Sequence, residues 1–137
     1  TDKGTHLPEL PPEANELACG TWTRSLAYCY AIELFNLEYW WEAHEVLEGL
    51  WIQAGKSSDA GKRVRGLIQI CAALLKSRWG TEAGALRLVD RARLSFKGQG
   101  DFLLGIPAGQ LASDAEAFAR GHRAIPPRIT WTGHRMV

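Results

Sequence analysis

The residues best placed to do chemistry together are His44, Glu45 and Glu48, in the string H-E-V-L-E. His44 and Glu48 stand four apart, which on an α-helix puts them on one face, one turn apart. At about 100° per residue that face also carries Trp40, Trp51, Leu37 and Trp41, while Glu38, Glu42, Glu45, Gly49 and Gln53 fall on a separate polar arc. An ionisable pair on an apolar, aromatic face is costly unless each group has a partner. Two readings supply one. In the first, His44 and Glu48 ligate a divalent metal ion, as the two histidines of H-E-x-x-H do, with Glu48 in place of the second histidine. His122 would be the third ligand, Glu45 the base that deprotonates a metal-bound water, and the reaction class metal-assisted hydrolysis. The phase of Glu45, about 100° from His44 toward solvent, counts against its part. In the second reading, His44 and Glu48 bond each other and a group of the next helix, and so fix the register of two packed helices. Strings of the H-E-x-x-E type are short and common, and structural ion pairs mimic active sites, which favours the second reading.

The stretch that follows offers further candidates. Gln69 lies with Gly66, Ala73 and Ser77 on a strip of small residues, bordered by Lys62, Arg65 and Lys76. Gly66 inside a helix costs about 1 kcal/mol relative to Ala, so a neighbour is expected to approach closely there. Arg63 falls inside the apolar arc between Ile70 and Leu74 and needs an acid, for which Glu48 is the candidate, or else snorkels to water. Together these residues predict a polar pocket between the second and third helices, lined by His44, Glu48, Gln69 and Arg63 and walled by Trp41 and Trp51. The basic run from Lys62 to Lys97 invites a nucleic-acid reading. Trp79 is the one tryptophan near it, and Arg87 and Arg91 read as solvated neighbours flanking Asp90, so nucleic-acid binding is disfavoured.

The elements that must position these groups are helical. Between two proline-containing ends, no segment alternates with period two, and every long apolar pattern has a period near 3.6. Helices are predicted from Glu16 or Thr21 to Phe35, from Leu37 to Ala54, from Gly61 to Trp79, from Thr81 as N-cap to Phe96, and from Ala108 to Gly121. Asn36 is expected to cap the second helix, with Glu38 in its first turn. Short connections make neighbours antiparallel. The predicted fold is therefore all-α, a compact single-domain bundle of about five helices over residues 16–124. An extended arm (1–15) precedes it and a tail (125–137) follows, where Pro126 and Pro127 forbid helix.

The 137 residues carry a formal net charge of +1, but unevenly: residues 1–50 sum to −7, residues 51–100 to +7 and residues 101–137 to +1. The outer acids of the second helix, Glu38, Glu42 and Glu45, are expected to face bases of the middle segment, within one chain or across a homo-oligomer. The six tryptophans outnumber both the four phenylalanines and the three tyrosines, and read as core and interface packing. Cys19, Cys29 and Cys71 have neither the number nor the spacing of a disulfide or zinc framework, and are expected to be reduced, mostly buried thiols. No apolar run approaches the roughly 20 residues that cross a bilayer, and no signal-peptide pattern opens the sequence. A cytoplasmic protein without a membrane partner is expected.

The strings FNLEYWWEAHEVLEGLW, RGLIQICAALLK and GALRLVDRA, in that order from about Leu34 to Phe96, resemble the small helical proteins of the domain of unknown function 309 family. Arg65 precedes the G-L-I-Q glycine where that family often has Gln. The resemblance implies an all-helical, intracellular protein and places a polar signature on Asn36, Glu42, His44, Glu45, Glu48 and Gln69; it implies no reaction. Two functional expectations remain. One is a pocket on the HEVLE helix that binds a metal ion or small molecule. The other is a non-catalytic helical interaction module, homo-oligomeric or partner-binding, in which His44 and Glu48 form a structural network.

Overall fold

A computed structural model describes Trp22, residues 25–100 and residues 103–130. Among these, five α-helices and no strand are present: α1 (Leu26–Asn36), α2 (Trp40–Ala54), α3 (Asp59–Trp79), α4 (Glu82–Phe96) and α5 (Ala108–Ala119), with a 3-10 turn at Leu103–Gly105. Three of the helices begin on a hydroxyl that accepts an otherwise unpaired amide of the first turn. Ser25 accepts from Tyr28 N, Ser58 from Gly61 N, and Thr81, as expected, from Gly84 N.

The longest helix, α3, is the centre of the bundle and packs against α2, α4 and α5. Val64, Leu67, Ile70, Cys71 and Leu74 of α3 are fully buried. They meet Trp40, Ala43, Leu47 and Leu50 of α2 on one side and Val89, Ala92 and Phe96 of α4 on the other, in one continuous core. Gly66 has the close neighbour its position predicts. A Cβ there would lie 2.2 Å from Cε1 of Phe96, so the ring of α4 sits where a side chain of α3 would be.

Two local expectations are corrected. The second helix begins at Trp40 rather than Leu37, and Asn36 is the last residue of α1 rather than an N-cap. Its side chain is committed elsewhere: Ile129 N–H donates to Asn36 Oδ1 (2.7 Å), and Asn36 Nδ2 donates to the Ile129 carbonyl (3.0 Å). That pair of bonds ties the end of α1 to residues 126–129, of which Pro126, Pro127 and Ile129 are buried. Residues 125–130 have no helix, as the prolines require, but they are fastened to the bundle. With Asn36 occupied, α2 has no side-chain cap, and Glu38 takes a left-handed φ of 69° in the turn that reverses the chain. The expected helical start at Glu16 or Thr21, the arm at 1–15 and Cys19 lie outside the described residues. Cys29 is half-buried and Cys71 buried.

The charge pairing is more local than its segmental sums suggest. Glu38 does reach the middle segment, 2.9 Å from Arg78, whose guanidinium also lies 4.4 Å from the centre of the Trp40 ring. Glu42 has no basic partner among the described residues, and the ion-pair neighbour of Glu45 is His44.

Candidate functional site

The face of α2 that turns from the core toward solvent holds the candidate site. Trp40, Ala43 and Leu47 point inward and are buried, while Trp41, Glu42 and Glu45 point outward. His44 lies between the two arcs, its side chain 19% exposed. Its ring stacks on Trp41 one turn back, with centroids 5.5 Å apart and planes within 11°. Each ring nitrogen faces a carboxylate: Nδ1 is 3.8 Å from Glu45 Oε2 and Nε2 is 3.7 Å from Glu48 Oε2. Both distances exceed a hydrogen bond. Nδ1 is buried and has no hydrogen-bond partner.

One ligand atom from each of His44, Glu45 and Glu48 falls within 4.8 Å of the others, a grouping that could hold a metal ion. Ligand atoms about 2.0–2.2 Å from a tetrahedral ion stand about 3.4 Å from one another, so one carboxylate has to move from its own ring nitrogen toward the nitrogen that holds the ion. Glu45 thus stands among the candidate ligands as well. His122 does not join them: it is exposed just beyond α5, where its N–H donates to the Ala117 carbonyl (2.8 Å).

Beside His44 opens a cavity of about 300 Å³ between α2, α3 and α4, lined by Trp41, His44, Ala72, Leu75, Lys76, Trp79, Gly80 and Leu88. Ala72, Leu75, Lys76 and Trp79 follow one another at helical spacing along one face of α3, a pattern legible in the sequence. Trp41 and Trp79 keep 57% and 75% of their surface exposed, so the cavity is an aromatic groove with an imidazole at its edge.

The other residues expected in this pocket lie elsewhere. Trp51 is half-buried, its ring 4.7 Å from the Lys56 ammonium. Arg63 is 1% exposed; its guanidinium donates to the Gly100 carbonyl and lies 5.2 Å from the centre of the Phe96 ring. It borders a second cavity with Gly98–Gly100 and the start of α5, and the ion-pair neighbour of Glu48 is His44, not Arg63. Gln69 faces α4, where its Oε1 accepts from Ser95 Oγ at 2.7 Å. The expected single pocket is therefore three separate places, because Gln69 and Arg63 lie on earlier turns of α3, where they meet α4 and the 98–100 turn rather than His44.

Residues 28–88 match the family model described as Domain of unknown function (DUF309), which bears out the resemblance read from the sequence. The matched stretch runs from α1 into α4 and contains the His44 cluster and the whole lining of its groove. No curated protein matches the chain.

Proposed function

We propose that the protein binds a divalent transition-metal cation through His44, Glu45 and Glu48, at the edge of a groove that takes the apolar part of a ligand. The observation that carries this reading is the imidazole set between two carboxylates, with its buried Nδ1 lacking a hydrogen bond. One nitrogen and two carboxylate oxygens form a donor set suited to zinc, manganese or iron. Three protein ligands leave a coordination position open to water or to a group of the bound ligand. Stacking on Trp41 would fix the plane of the imidazole, as the outer-shell contacts of metal-binding histidines do.

Titration of the metal-free protein with zinc and manganese, followed by calorimetry, tests this. One ion per chain is expected. His44→Ala should abolish binding, and Glu48→Gln should weaken it about tenfold. Absence of binding, or equal binding by His44→Ala, overturns the proposal.

The exposure of Trp41 and Trp79 supports a second reading, an interaction module whose aromatic groove is covered by another protein or a second copy. That reading expects no stoichiometric metal, and a sedimentation mass or partner capture that changes on Trp79→Ser. In neither reading does a membrane-spanning segment enter, since no described helix is long and apolar enough to cross a bilayer.

A further inference from the structure

Nearer the N-terminal end of α3, a separate groove of about 390 Å³ runs between α3 and α4. Its lining includes Lys62, Arg65 and Gln69, spaced i, i+3 and i+7 on α3, and Arg91, Ser95 and Lys97 from α4 and its C-terminal cap. The described lining contains four cations and no acid. Elsewhere Arg78 meets Glu38, Arg93 and Arg120 meet Glu116, and Arg123 meets Asp114, while Arg87 and Arg128 stand singly without an ion pair to a described residue. Among the described residues, none of Lys62, Arg65, Arg91 and Lys97 forms an ion pair. Like charges gathered without counter-charges repel one another, and a concave wall concentrates their field.

The floor of the groove points the same way. Ser95 is buried and its hydroxyl donates to Gln69 Oε1, so the acceptor end of the Gln69 amide is already used. Its Nε2 makes no hydrogen bond to a described residue and is the end left for a ligand. The unpaired groups of the groove's described lining are thus four cations and the Nε2 donor of Gln69. Arginines present paired N–H groups that match phosphate oxygens two at a time. Each phosphoryl group carries about −1.5 to −2 charges, so four cations balance about two of them.

We propose that the α3–α4 groove is a binding site for a compact ligand bearing two or three linked phosphoryl groups, held by Arg65 and Arg91 with Gln69 donating from the floor. The described lining carries no aromatic ring on which a base could stack, which favours a small polyphosphate over a nucleic-acid strand. The site is independent of the His44 cluster and stands or falls separately.

Sodium tripolyphosphate is the probe, titrated calorimetrically into the intact protein at low and high salt. Saturable one-to-one binding is expected, weakened at least tenfold in the Arg65→Ala/Arg91→Ala double variant and clearly weakened in Gln69→Ala. Arg87→Ala, an exposed position on α4 outside the groove, should bind as the parent does. Both arginines of the double variant are exposed, and circular dichroism should find its fold intact. No saturable binding by the parent, or equal binding by the double variant, overturns the proposal. So does single-stranded RNA that displaces tripolyphosphate with an affinity rising steadily with strand length, which would make the groove a nucleic-acid surface.

Discussion

Arg63 and His44 are both ionisable residues that helical phase places among apolar neighbours, and the structure treats them oppositely. Arg63 is 1% exposed, and its contacts come from other elements: the Gly100 carbonyl in the turn after α4, and the Phe96 ring at the end of α4. The contacts of His44 with Trp41, Glu45 and Glu48 all come from α2 itself. A group held by its own helix has those neighbours as soon as the helix forms, so it adds little to tertiary structure. A group held from across the fold exists in that setting only when the fold is complete. The first is free to serve a ligand, and the second fastens three parts of the chain.

The sharpest way to break this comparison is to delete both side chains. Arg63→Ala removes a buried cation, its bond to Gly100 and its packing against Phe96, and should cost about 3 kcal/mol in urea denaturation. His44→Ala removes half-exposed contacts within one helix and should cost less than about 1 kcal/mol. Equal losses would show that origin of contacts does not separate the two. Gly66→Ala is the next largest effect and probes the same α3–α4 seam. The added Cβ at 2.2 Å from Phe96 Cε1 must displace a ring wedged at the end of α4. Overpacking of about 1–3 kcal/mol outweighs the roughly 1 kcal/mol that Ala gains over Gly in helix propensity. A net loss of about 1 kcal/mol is expected, partly restored by Phe96→Leu in the same background, and a stabilised Gly66→Ala protein would contradict the seam described here.

What could be read from the residues follows the same division between local and distant causes. The helices and the Thr81 cap depend on neighbours in sequence, and periodicity with propensity is enough to find them; the close approach at Gly66 is made by Phe96 from another helix, but a glycine inside a helix marks the place for it. Asn36 misled because two rules of local chemistry made it a cap, while Ile129, far along the chain, takes both ends of its amide. The pocket was legible only in part for a related reason. A helical wheel fixes which residues of α3 share a face but not which turn of α3 lies level with His44. Lys76 and Trp79 line the groove beside His44, whereas Gln69, on nearly the same face as Lys76 but two turns earlier, meets Ser95. Glu45 joined the cluster because its side chain is long enough to bridge the phase difference from His44.

The smallest effect separates the two arginines two residues apart on α4, of which Arg93 is paired and Arg91 is not. Hydrogen bonds from Arg93 (2.8 Å) and from Arg120 (3.0 Å) hold the Glu116 carboxyl below its ordinary range. A carboxyl whose pKa is lower folded than unfolded stabilises the fold fully above its unfolded pKa, and that contribution is lost as pH falls through the folded value. Glu116→Gln should therefore be slightly less stable than the parent at neutral pH, and the difference should shrink to nothing on acidification through the carboxylate range. Thermal melts of both proteins from pH 7 downward measure it, in low salt because the group is open to solvent and screened. If the two acid limbs run parallel, the Arg93–Glu116–Arg120 contacts do not stabilise the fold. Arg93 would then be available to an anion, but on the α5 side of α4, in the cavity it borders with Arg63 rather than in the groove that Arg91 lines.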